Sequence, residues 1–141
     1  MLYSFIGWIY EVILEFSYGH GFVNRGFLFG PYLPVYGVTS IVMILFLNEY
    51  KHDLFTLFAM SVVYASIVEY IASYLMEKLF KARWWDYSER KFNLEGRICL
   101  RNSLLFGICG VLLVKYIHPF VITVINQIPN YIFNIISIFL I

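Results

Sequence analysis

One polar stretch, residues 80–102 (FKARWWDYSERKFNLEGRICLRN), separates two long apolar arms. Few soluble folds are open to a chain patterned this way. It is 61% hydrophobic and 13% charged, where soluble domains carry about 25% charged residues. Too few polar side chains exist to cover a water-facing surface, so the apolar arms must face lipid. At roughly 20 residues per crossing, 141 residues allow about four or five transmembrane helices in one integral membrane domain, residues 1–141. The expected fold class is therefore all-α: a polytopic membrane helix bundle with irregular packed loops. A net charge of +1 and the lack of a soluble basic face exclude nucleic acid as a partner and leave the lipid bilayer as the first one.

The first expected crossing is Leu2–Ser17. It lacks a basic leader and a small-residue cleavage site, and Glu11 and Glu15 interrupt it, so it reads as a crossing and not as a cleavable signal. Ser4, Gly7, Glu11 and Glu15 recur at three- and four-residue steps and share one face. Residues 19–36 hold four of the nine glycines and two of the four prolines, yet stay apolar. Such a segment suits an irregular loop packed into the protein, with its amides satisfied internally. A second crossing is expected over 36–47, a polar turn over 48–53, and the longest helix over Leu54–Phe80. In that helix Ser66, Glu69, Ser73 and Glu77 form another stripe. A fourth crossing over 103–117 is expected to stop at His118-Pro119. The apolar tail 119–141, broken at Pro129, reads as a fifth, kinked crossing or an interfacial helix.

Six of the ten basic residues lie between the third and fourth crossings, and a seventh, Lys78, lies in the last turn of the third. The positive-inside rule places loop 81–101 in the cytoplasm, and counting back puts the N-terminus outside. An echo links IYEVI at 9–13 to IVEYI at 67–71, and NRGFL at 24–28 to GRICL at 96–100. It suggests half-repeats 1–50 and 54–118, a known way of building a site at a repeat interface.

Glu11 and Glu69 are the sharpest candidates for function. A carboxylate in hydrocarbon costs about 2.5–3.5 kcal/mol on insertion scales. A cation, a proton or an arginine must offset that cost. Glu15 and Glu77 lie nearer the cytoplasm on the same faces, which suggests two acidic layers along a path for a cation, a proton or a polar substrate. The alternative is structural ion pairing with Arg25 and Arg97. Asn24, Arg25 and Arg97 sit in glycine-flanked loops able to hold an anionic group. Trp84-Trp85-Asp86-Tyr87-Ser88 reads as an interfacial anchor, with Asp86-x-x-Glu89 as a capping box for a short helix. Its functional alternative is a lid over the glutamates, with Asp86 as a further acidic contact. His20 and His118 stand alone, so no metal site is expected. No catalytic elbow and no P-loop occur, and no catalytic residue or cofactor is assigned. On this topology Cys99 and Cys109 are expected to stay reduced.

Five stretches carry a family resemblance: SFIGWIYE at 4–11, NRGFLFGPYLPVYG at 24–37, EYIASYLMEKLF at 69–80, WWDYS at 84–88 and FNLEGRICL at 92–100. With His118-Pro119, they resemble the CmpB-type family of small bacterial membrane proteins, ABC-transporter type IV. The resemblance reaches to about His118 and leaves the tail outside. It implies a permease component energised by a separate ATPase subunit, and it assigns no site residue. Four or five short helices leave little room for an enclosed pathway, so a homo-oligomer or hetero-complex is expected. The second reading is a non-transporting scaffold or regulatory subunit of an envelope complex, and a lipid-acting membrane enzyme stands third.

Overall fold

The computed structural model describes residues 1–19, 21–22, 24, 26 and 30–129. Four helices dominate them: α1 (Leu2–Ser17), α2 (Pro34–Leu47), α3 (Leu54–Phe80) and α4 (Leu100–Gln127). A short turn of 3-10 helix, Asn48–Tyr50, joins α2 to α3. The expected bounds hold for α1 and α3, and α2 starts two residues early at Pro34. Proline is well placed there, because the first helical position has no intrahelical use for its missing N–H.

Asp53 starts α3. Its carboxylate accepts from the Phe55 and Thr56 amides at 3.2 Å each, filling donors that a helix start leaves orphaned. Lys81 ends α3 in the left-handed region at φ 54°. The buried residues of α3 are Leu57, Ser61, Ala65, Glu69 and Ser73, one every four positions. Ser66 stands beside this stripe, where its hydroxyl donates to Val62 O and accepts from the Ser103 hydroxyl, 2.8 Å each.

α4 packs along α3 through small residues. A Cβ at Gly107 would come within 2.9 Å of the Phe58 ring, and one at Gly110 within 2.6 Å of Ser61 Cβ and 3.0 Å of Met43 Sδ. Small residues at such a seam let two backbones approach closely. The apolar core of Met43, Leu47, Leu57, Ala65, Leu113 and Val114 sits beside this seam, at the end far from the polar loop.

Two expectations are corrected. The fourth helix does not stop at His118-Pro119: it continues to Gln127 through a π-helical turn at Leu113–Ile117. A proline ring normally clashes with the carbonyl four residues back. The wider turn just before Pro119 relieves that clash and the helix goes on. Residues 119–127 are thus part of α4, not a separate helix, and 130–141 lie outside the described residues. Within the polar loop, residues 83–92 form turns and no helix, so the Asp86-x-x-Glu89 box caps nothing. A small antiparallel hairpin follows instead, Asn93–Leu94 with Ile98–Cys99, tightened by Glu95 (φ 53°) and Gly96 (φ 67°). Left-handed geometry at both central residues matches the twist of a hairpin.

α1 joins the bundle by its first turns. The Leu33 amide donates to Ser4 O (3.1 Å), and Ser4 packs on Gly37. A simple up-and-down bundle would bring the start of α1 against the end of α2. Here it meets the beginning of α2, so the chain has returned to the level of Ser4 by Leu33. The two suggested half-repeats are packed differently: α3 packs on the first half of α4, whereas α1 meets the start of α2 through its residues from Ser4 to Glu11.

α3 and α4 are each long and apolar enough to cross a membrane. Only 22% and 17% of their most apolar stretches are buried. A helix that is apolar all round and mostly uncovered needs lipid or a partner against it.

Candidate functional site

Glu69 and Glu11 line one cavity of about 120 Å³ between α1, α2 and α3. Leu33, Val35, Tyr36 and Thr39 form one wall, Ala65 and Phe106 another, and Trp84, Trp85 and Tyr87 fold over it from the polar loop. Glu69 sits here because it occupies the buried stripe of α3, and it is 6% exposed. Its Oε1 accepts from the Tyr87 hydroxyl at 3.2 Å, while its buried Oε2 has no hydrogen-bond partner among the described residues. Glu11 accepts a short hydrogen bond from the Tyr36 hydroxyl. Buried polar atoms are nearly always partnered, so an orphaned carboxylate oxygen facing a cavity marks a place where something else binds.

Trp85 fixes the cover: its indole N–H donates to Arg97 O at 2.9 Å. The Tyr87 amide donates to Gly96 O (2.7 Å), which ties the cover to the hairpin turn. Burial raises the Tyr87 phenol well above its ordinary value, and the nearby Glu69 charge adds to the shift.

A second polar cluster lies beyond the cavity. The hairpin turns Arg97 back onto α3, where it is 8% exposed. Its Nη2 stands 2.5 Å from Glu77 Oε2, its Nη1 donates to Ser73 Oγ at 3.3 Å, and its Nε stands 3.5 Å from Glu95 Oε2. The guanidinium also lies 5.8 Å and 5.5 Å from the Tyr70 and Tyr74 ring centres, within cation–π range. Arg83 completes the cluster against Glu77 (3.2 Å) and Asp86 (3.7 Å).

The predicted residues therefore divide. Glu11 and Glu69 come together. Glu77 and Arg97 form an ion pair of their own, so Arg97 balances Glu77 and not Glu69. Glu15 is half-buried on α1 and does not line the cavity. Asn24 Oδ1 accepts from Trp8 Nε1 (2.8 Å) and the Gly26 amide (3.0 Å), pinning its loop to α1. Arg25 lies outside the described residues. Asp86 does not line the cavity and accepts from the Ser88 hydroxyl (2.5 Å) and amide (2.9 Å). Those bonds, the hydroxyl first, hold its carboxyl below the usual range. The cavity also uses Tyr36, Thr39 and Phe106, which the sequence reading did not single out. Tyr36 was the most findable, since it closes the Pro31-x-x-Pro34 loop just where a helix must begin. Among the described residues no three His, Cys, Asp or Glu side chains converge as metal ligands. Both cysteines are free thiols.

The described residues thus form a small helical bundle with apolar outer faces and a cavity lined by two carboxyl groups. The chain belongs to the CmpB-type family: the family model described as "Putative ABC-transporter type IV" matches residues 1–141. That match takes in the tail, which the sequence resemblance had left out. No curated protein and no solved structure matches the chain.

Proposed function

We propose that the chain is an integral membrane subunit of a transport complex, and that Glu69 and Glu11 line a path for a cation or a proton. The observation that carries this reading is the orphaned Glu69 Oε2, buried at the middle of a helix long enough to cross a bilayer. A carboxylate in that position is expensive unless a positive charge or a proton joins it. Arg97, which the hairpin folds back onto α3, is committed to Glu77. The start of α2 at the cavity wall supports the same reading, because broken or half-length helices ending at a site are a feature of carriers. With α3 and α4 as spans, the basic loop 81–101 faces the cytoplasm, where a separate ATPase subunit would meet it.

Purification of the tagged protein from native membranes in mild detergent, followed by reconstitution, tests this. A P-loop ATPase co-purifies in fixed ratio, and the complex accumulates a cation when given ATP. Glu69→Gln leaves the complex intact and stops accumulation. A complex that moves solute equally well with Glu69→Gln removes the proposal.

One observation favours the second reading, a scaffold. Phe92 and Leu94 project from the polar loop with 80% and 56% of their surface exposed. Co-purification of envelope-assembly proteins, lost on Phe92→Ala, is the result that reading requires.

A further inference from the structure

Beside the carboxylate cavity lies an apolar groove of about 380 Å³ between the start of α2 and the second half of α3. Leu33, Val35, Trp84 and Trp85 are walls of both. Apart from the two tryptophans, every side chain along the groove is aliphatic, proline or methionine. The Trp85 N–H is already bonded to Arg97 O, so the groove offers a ligand almost no polar partner. Its outer edge is made by Val38, Ile71 and Leu75, each about half exposed on the outer faces of α2 and α3. A hydrocarbon chain can therefore enter from the bilayer.

From this juxtaposition we infer that the ligand is an amphipathic ammonium, its cationic head at Glu69 and its hydrocarbon tail in the groove. The inference rests on the cation-binding reading of the cavity and deepens it by naming the substrate class. Three features argue for it together. The cavity end offers a carboxyl group, with Glu69 Oε2 nine-tenths buried and unpartnered among the described residues. Two of the four shared walls are tryptophans, whose faces attract a cation. Cavity and groove, about 120 and about 380 Å³, fall together in the roughly 300–1,000 Å³ range of small-molecule sites. An inorganic cation would use the cavity and leave the groove without a purpose. A fatty acid would fit the groove and be repelled at the carboxylates.

The test uses the full protein with Trp8→Phe, embedded in lipid nanodiscs, so that its emission comes from Trp84 and Trp85. The probe is ω-bromododecyltrimethylammonium, whose bromine quenches tryptophan on contact. Saturable quenching is expected, shifted about tenfold to higher concentration (1.4 kcal/mol) by Glu69→Gln and by the groove-filling Ala72→Phe. ω-Bromododecanoate should quench only linearly, as a lipid-dissolved quencher does. Equal saturable quenching by both probes, or an Ala72→Phe protein that binds as well as its parent, overturns the inference. Protection of Glu69 from carbodiimide by tetramethylammonium separates the two levels. If tetramethylammonium protects while the groove variant changes nothing, the tail is wrong and the cation cavity stands. If neither effect is seen, both readings fall. Should Glu69→Gln not fold, Ala72→Phe and the probe comparison still decide.

Discussion

The Tyr87 hydroxyl donates to Glu69 Oε1 at 3.2 Å, joining the polar loop to the middle of α3 across 18 positions of sequence. This bond holds Trp84, Trp85 and Tyr87 as a cover over the carboxylates, and the same residues are those expected from the sequence to anchor the loop at the interface. The two roles are compatible, because the tryptophans present one surface to the cavity and another outward.

Tyr87→Phe removes the bond and leaves the ring. A hydrogen bond to a charged group contributes about 1.5–3 kcal/mol, so the cover should open far more often. Quenching of Trp84 and Trp85 by acrylamide, in a Trp8→Phe background, should rise while the helical circular dichroism stays constant. Unchanged quenching would mean that Trp85 and the hairpin hold the cover without Tyr87.

Arg97→Ala strips Glu77 of its closest cation and the hairpin of its anchor on Ser73, Tyr70 and Tyr74. The loop around Lys81, Arg83, Arg90 and Lys91 should then be cut by trypsin at a protease level that spares the parent. Arg97→Lys should recover only part of the resistance, since an ammonium cannot reach Glu77, Glu95 and Ser73 in one fork.

Gly110→Val places a branched side chain against Ser61 and Met43 at the seam of α3 and α4. Overpacking of this kind costs about 1–3 kcal/mol. Thermal unfolding in detergent should show a lower midpoint.

The loop sets limits at both ends of the pH scale. The Tyr87 phenol is raised by burial, then by Glu69. A group raised in the folded state gives its full stabilisation below its unfolded value, near 10 for a phenol, and loses it as pH climbs through the folded value. Asp86 is lowered by the Ser88 hydroxyl and amide, so its contribution is present above the unfolded carboxyl value and disappears as pH falls through the folded one. Ultraviolet titration should show one tyrosine fewer ionising in strong alkali in Tyr87→Phe than in the parent. Asp86→Asn should flatten the acid limb of loop protection from trypsin.

The helices were legible wherever local signals agree. Leu54–Phe80 contains neither glycine nor proline and follows a capping Asp53, so its bounds could be read directly. Glu69 and Glu11 were legible as a pair because charge is so rare in apolar runs. The partners of those charges were not. Tyr36, 25 residues from Glu11, and Tyr87, 18 from Glu69, reach them only through packing between segments, which no local periodicity encodes. Arg97 looked free to serve any glutamate, and the hairpin turn at Glu95-Gly96 aims it at Glu77. Pro119 read as a stop because a π turn has no sequence signature of its own.

The central claim is that Glu69 Oε2, unpartnered among the described residues, takes up a positive charge in its cavity. Labelling by N,N′-dicyclohexylcarbodiimide in native membranes, mapped by mass spectrometry with and without tetramethylammonium, tests it most directly. The account predicts modification at Glu69, slowed by the cation and speeded by Tyr87→Phe. Modification at Glu69 that is indifferent to the cation, or none at Glu69 even with the Tyr87 bond removed, would contradict it.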